Sequence, residues 1–300
     1  MRKFFSQVWR IITFPFRLVF NVLASPFRVF SRFNKFLNTE PEERPLSDVF
    51  ADLATDKKVR QMMWEQVEAL RAHLLRAVLG LAVTVIASFW VAERLMDFLA
   101  VPVGGLENLQ AIQVTEEIGV FMRVAMTVGI AVAFPYIAFE LWLFAAPGLR
   151  PRERKFGLVG IPLATFLFLL GMAFTYYVLL PAALSFLGGF TKIAQFWAAR
   201  EYFAFVTGLM IWIGIFFEFP LVIYILSAMG LVKPAALAQQ WRLAIVIIAV
   251  IAAAITPTID PVNMGLVMAP MILLYFVSIG LSFLAYAGRR KNEPAGSESI

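Results

Sequence analysis

The sequence predicts an all-α integral membrane protein: six spans, several of them bent, with both termini in the cytoplasm. Three observations carry this. The chain of 300 residues is 61% hydrophobic and 15% charged, whereas soluble domains are about 45–50% apolar. Its apolar runs are spread over residues 74–287, in stretches near the ~20 residues a helix needs to cross a hydrocarbon core. Lysine and arginine gather in alternate loops, the asymmetry that orients a membrane protein.

Residues 1–37 are basic and aromatic and contain no acid. Wound at about 100° per residue, Lys3, Ser6, Arg10, Arg17, Asn21, Arg28, Arg32 and Lys35 fall within roughly 60–80° of arc. That is the pattern of a helix lying on a membrane with its cations at anionic headgroups, kinked at Pro15 and Pro26. Residues 38–60 are polar and rich in acid and proline, and read as a cytoplasmic linker. The membrane domain follows over 61–287, opened by an amphipathic lead-in, and 288–300 form a cytoplasmic tail.

The spans are expected at 74–99, 121–145, 156–184, 203–229, 243–255 and 264–284. The fifth and sixth are short. The fifth needs a thinned bilayer, or extension at Trp241 and Thr256. Pro135, Pro162, Pro181, Pro220 and Pro270 lie in or near spans; each frees a backbone carbonyl and permits a bend, so the bundle is expected to present a concave wall. Arg150, Arg152, Arg154 and Lys155 mark one end of the bundle, with Lys233, Arg242, Arg289, Arg290 and Lys291. The loops at the other end hold only Lys192 and Arg200. The cation-rich end is therefore assigned to the cytoplasm.

The chain has no cysteine and one histidine, His73. That excludes disulfides, thiolate metal sites and a histidine cluster. There is no HExxH, no nucleophile elbow with triad partners and no Walker A sequence. No enzymatic activity, cofactor, metal or nucleic-acid partner is expected. What remains is binding or transport in a membrane.

A few polar groups stand out. Glu218 is the one charged residue of 203–229, where a carboxylate costs roughly 2.5 kcal/mol or more. It is either hydrogen-bonded to a neighbouring span, or a contact for an incoming helix, or a proton site. Glu153, flanked by Arg152 and Arg154, either balances local charge at a helix N-terminus or accepts a ligand's guanidinium. Glu65, Glu68 and Arg71 read as the solvated face of the lead-in helix. Asp260 reads as a helix cap in a tight turn. Thr115, Glu116 and Glu117 read as an N-cap with an acidic first turn. Glu140 and Arg123, near the two ends of the second span, read as snorkelling to an interface.

Four segments together resemble the TatC family, the polytopic core of the twin-arginine protein translocase. They are AAPGLRPRERKF between the second and third spans, GMAFTYYVLLPAALSFL in the third, YFAFVTGLMIWIGIFFEFPLVI in the fourth, and ITPTIDP before the sixth. The resemblance covers about residues 60–287. It implies a glove-like bundle in a bacterial inner membrane, acting as a receptor without catalytic chemistry. It implies partners: the twin-arginine signal peptides of folded cargo, TatA- and TatB-type single-span subunits, membrane lipids and further copies of the chain itself. It implies that the proton-motive force drives transport. By this resemblance Glu153 belongs to the site for the arginine pair, and Phe144 and Pro147 flank the cytoplasmic end of the second span. Glu218, with Pro220, contacts a partner helix. Pro102 is the proline of the first outer loop, and Asp260 the acid of the turn before the sixth span. The family's HLxELR-type stretch aligns with Gln66-Val67-Glu68-Ala69-Leu70-Arg71. Leu70 and Arg71 agree; Gln66 replaces the histidine and Ala69 the second acid. Glu68 or Glu65 is left to substitute. The alternative reading is a secondary transporter or channel for a small solute. It wants several polar groups converging at mid-membrane, where Glu218 is nearly alone in its span.

Overall fold

The computed structural model describes residues 37–38, 57–149, 151–189, 197–256 and 261–292, without the side chains of 57–63, 152–153 and 288–292. The expectations for the N-terminal interfacial helix, most of the linker, Asp260 and the end of the tail fall outside these residues.

The lead-in and first span form one helix, α1 (Lys57–Ala100). Then come α2 (Glu116–Ala145), α3 (Pro151–Phe174), a π turn (Thr175–Leu179), α4 (Leu180–Gly189), α5 (Ala199–Phe217), α6 (Phe219–Ala228), α7 (Pro234–Gln239), α8 (Trp241–Ile255) and α9 (Pro261–Asn292). Among the described residues, five stretches are long and apolar enough to cross a membrane: Trp64–Val103, Glu116–Gly148, Arg154–Gly189, Ala199–Ala228 and Pro261–Ala287. The sixth crossing is α8, which starts at Trp241 and has 15 residues. At 1.5 Å per residue it spans about 22 Å, short of the ~30 Å core. The last span is not short as expected. Helix α9 runs for 32 residues, because it opens on a proline suited to a first turn and meets only Pro270 inside.

Pro135 and Pro162 are likewise carried within α2 and α3. Pro220 instead sits at a break, between α5 and α6, and Pro181 follows the π turn. Helix α1 packs along α2; α2 packs on α3 and α5; α3 packs on α5; α6 and α8 pack on α9. Two seams are glycine-dependent. A side chain at Gly129 would strike Val85, whose Cα lies 2.7 Å from a Cβ placed there. The carbonyl of Gly129 accepts Thr84 Oγ1 at 2.9 Å across the same seam. At the α3–α5 crossing, a Cβ on Gly171 would lie 2.8 Å from Gly214 Cα, and one on Gly214 would lie 2.8 Å from the Phe168 ring. Leu180, Phe203, Leu209 and Ile213 belong to the main buried core, and Phe168 is fully buried at the crossing. At the cation-poor end, Leu109–Gln110 pairs in parallel with Trp197–Ala198, tying two loops together.

Candidate functional site

At the cation-rich end α2 stops at Ala145, turns through Ala146–Gly148, and the chain re-enters at Pro151. Arg154 fixes that turn. It is 2% exposed, and its guanidinium folds back over the end of α2. Nε donates to Ala146 O at 2.8 Å, and Nη2 to Leu149 O at 3.1 Å and Pro147 O at 3.5 Å. A cation there satisfies carbonyls that the helix leaves open and sits at the negative end of its dipole. Trp142 Nε1 in turn donates to Arg154 O at 3.2 Å. In the sequence Arg154 reads as one more loop cation; in the fold it is a buried clamp. Glu153 lies in the first turn of α3, beside this clamp; its side chain is outside the described ones. Pro147 is exposed in the turn. Leu37, the last residue of the N-terminal extension, packs with Trp142 and Ala146.

The expected residues of α1 do not converge there. Glu65, Glu68, Leu70 and Arg71 are all exposed. Convergence happens one turn further on. His73 meets the Phe144 ring edge-on, with centroids 6.2 Å apart at 64°. Its Nδ1 donates to Glu140 Oε2 at 2.7 Å, while the Tyr136 hydroxyl donates to Oε1 at 3.0 Å. Arg76 Nε stands 3.7 Å from the same carboxylate. Glu140 is 4% exposed. The snorkelling reading of Glu140 is therefore corrected: in-chain donors hold the carboxylate against α1, so it has no need to reach an interface. Arg123 is exposed, beside a hollow it lines with Glu116 and Arg200.

Glu218 occupies the break between α5 and α6. Pro220, the second residue of α6, has no N–H to continue the ladder. The Glu218 N–H donates to Ile215 O at 3.1 Å, and its carbonyl accepts from Val222 N at 2.9 Å. The side chain is half-buried, one turn beyond the Gly171–Gly214 crossing. Its Oε1 is buried and meets no hydrogen-bond donor among the described residues. The carboxylate meets the Phe168 backbone of α3, so the unmet hydrogen bond is confined to Oε1.

At the opposite end Thr115 is the N-cap residue of α2, its carbonyl accepting from Gly119 N at 3.2 Å, and Glu116 and Glu117 form the acidic first turn, though the Thr115 hydroxyl makes no capping bond. Glu116, in the acidic first turn, braces the preceding loop and the start of α5 instead. Oε2 accepts from Ile112 N at 2.8 Å and Gln113 N at 3.1 Å, and Oε1 accepts from Arg200 N at 2.6 Å at the start of α5. Pro102 sits in the turn after α1 and lines a groove of about 790 Å³ with Phe98, Tyr176, Tyr177 and Trp197.

Comparisons with known proteins bear on all of this. Residues 65–270 match the family model for Sec-independent protein translocase protein (TatC). The TatC protein of Koribacter versatilis is 33% identical over 243 residues, covering 78% of this chain and 90% of that one. TatCy of Bacillus subtilis is 35% identical over 246 residues, covering 80% and 96%. A crystal structure described as Twin Arginine Translocase Receptor- TatC superposes with a TM-score of 0.68 at 30% identity, covering 73% of this chain and 99% of that one. Long apolar helices, the order of the spans and these matches agree: this multi-pass membrane protein belongs to the TatC family of Sec-independent protein translocase proteins.

Proposed function

We propose that this chain is the signal-peptide receptor and core subunit of a twin-arginine translocase in a bacterial inner membrane. The observation that carries the reading is the clamped turn at the cation-rich end. Arg154 holds the α2–α3 junction rigid through three carbonyls, so Glu153 stands on a fixed platform in an otherwise cationic loop. Two guanidiniums need carboxylates, and a carboxylate accepts a guanidinium bidentately. The loop charges support placing this end, and both termini, in the cytoplasm. A second reading concerns Glu218. Its unpartnered Oε1 supports a contact supplied by another chain, a TatA- or TatB-type helix bearing a polar residue, or by a proton when none is docked. Several copies of the chain would assemble around such contacts, with the proton-motive force driving transport. Residues 1–37 would lie along the headgroups as an interfacial helix, with 38–60 linking them to the membrane domain.

Photo-crosslinking in membranes tests the receptor reading. A precursor with an Arg-Arg signal should form adducts beside Glu153, and a Lys-Lys signal should not. Glu153→Ala should abolish the adducts. Adducts indifferent to the arginines, from a folded protein, would sink the reading in favour of a small-solute transporter.

A further inference from the structure

Glu140 is the buried carboxylate that the reading above leaves without a role. Every group that meets it is a donor. His73 Nδ1 donates to Oε2 at 2.7 Å, the Tyr136 hydroxyl donates to Oε1 at 3.0 Å, and Arg76 Nε is 3.7 Å from Oε2. The hold of Arg76 is loose. Its side chain is 49% exposed, and its Nε donates to its own helix, at Ala72 O, 3.2 Å away. A guanidinium thus already stands against this carboxylate, outside hydrogen-bond distance and half exposed on the surface of the bundle. The Phe144 ring borders the same place through His73.

The position is informative. Ala69 replaces the acid that the family pattern carries there. His73 lies one turn after Ala69, on the same face of α1. Glu140 is fixed against His73 from α2. The carboxylate absent from α1 is therefore present one turn further along the same face, supplied by the neighbouring helix. Glu68 points about 100° away round α1, and Glu65 lies two turns before His73.

We propose that Glu140 is the second guanidinium acceptor of this chain. In the free protein His73 and Arg76 occupy it; a signal arginine displaces Arg76 and takes the carboxylate. This inference rests on the receptor reading. The exchange swaps one guanidinium for another, so no charge is left buried without a partner. The incoming group gains a forked pair of hydrogen bonds that Arg76 at 3.7 Å does not make. A lysine has no such fork, so the site prefers arginine.

The test is a double-mutant cycle on the full chain in its membrane complex, read as adduct yield with precursors. Glu140→Gln keeps one acceptor oxygen for His73, places an amide N–H that the Tyr136 hydroxyl can accept, and removes the charge. It should lower Arg-Arg adducts by roughly tenfold, the scale of one charge-assisted hydrogen bond. Replacing the matching signal arginine by lysine should cost the native chain a similar factor and the Glu140→Gln variant little more. Adding Ala69→Glu to Glu140→Gln should restore binding, which a merely structural role for Glu140 would not allow. A second measurement needs no change at Glu140. The native chain has no cysteine, so an Ala69→Cys variant should form a disulfide with a cysteine placed beside the signal's arginine pair, with Arg-Arg signals only. Full binding by Glu140→Gln, while Glu153→Ala abolishes it, would overturn this inference and leave the receptor reading standing. Additive losses in the cycle, or no disulfide from Ala69→Cys in a complex that still forms Glu153-dependent adducts, would also overturn it. If Glu153→Ala and Glu140→Gln both bind normally, the receptor reading fails and this inference with it.

Discussion

Two carboxylates between packed helices, Glu140 and Glu218, are compensated in opposite ways. Glu140, between α1 and α2, has a hydrogen-bond donor on each oxygen from its own chain. Glu218, at the α5–α6 break, has a buried oxygen with no donor among the described residues. Carboxylates away from water are tolerated only where donors or protons compensate them. The first has both oxygens compensated within the isolated chain; the second leaves one oxygen uncompensated there. The two regions share a packing device, helices brought close by glycine at Gly129 and at Gly171–Gly214. They differ in what the closeness serves: one seam delivers donors, the other leaves an acceptor waiting.

The largest effect should come from breaking the second seam. Gly214→Leu puts a side chain where Phe168 already lies 2.8 Å from a Cβ. Overpacking of this kind costs about 1–3 kcal/mol and more where backbone must move. That Cβ also lies 3.2 Å from the Phe168 carbonyl oxygen, so the upper end is expected, about 3 kcal/mol. Thermal unfolding of the purified protein should show it as a large drop in midpoint. A variant as stable as the native chain would mean that α3 and α5 do not cross this closely.

Next is the clamp. Arg154→Ala removes the donor to the carbonyls of Ala146, Pro147 and Leu149. Hydrogen bonds to charged groups are worth about 1.5–3 kcal/mol, and the loss should fall in that range. Trypsin or hydrogen exchange should find the Ala146–Gly148 turn newly open. Arg154→Lys should recover only part, because one ammonium cannot reach three carbonyls in the geometry of a guanidinium fork.

The comparison itself is sharpened by the same substitution at both carboxylates. Glu140→Leu orphans its donors and should destabilise the isolated protein by about 1–3 kcal/mol. Glu218→Leu removes a carboxylate whose buried Oε1 has no donor among the described residues and should leave stability unchanged or raised. Transport should show a different order, with Glu218→Leu severely defective and partner-helix crosslinks lost. If Glu218→Leu destabilises the purified chain as Glu140→Leu does, the carboxylate is satisfied internally and the contrast collapses.

The sequence made some of this visible and hid the rest for physical reasons. Span existence was legible, because lipid demands long apolar runs and loops must carry the charge. The length of α9 was not, since its boundary depended on where a continuous helix stopped, not on where hydrophobicity faded. Glu218 was legible because a lone acid in an apolar run is anomalous. Glu140 was not: near a helix end an acid reads as solvated, and its partner His73 is 67 residues away. Arg154 was masked by its neighbours, because a cation among cations reads as topology. The N-cap position of Thr115 and the acidic first turn were legible; the reach of Glu116 to Arg200 N was not, because that partner is 84 residues away.

The smallest effect calibrates the scale. Two tyrosines from other spans close the end of α1: Tyr176 OH donates to Phe98 O and Tyr202 OH to Leu99 O, each at 2.6 Å. Tyr176 reaches it from the π turn, with its ring stacked on Phe98 at 4.4 Å. Tyr202 is buried, and Tyr202→Phe keeps the ring while deleting one neutral hydrogen bond. The expected cost is about 1 kcal/mol, seen as a small fall in the unfolding midpoint, with signal-peptide adducts unchanged. That bond touches neither carboxylate. If its loss matched the loss from Glu140→Leu, the charge at Glu140 would add nothing to stability beyond ordinary hydrogen bonding, and its burial beside Arg76 would have to be explained by ligand binding alone.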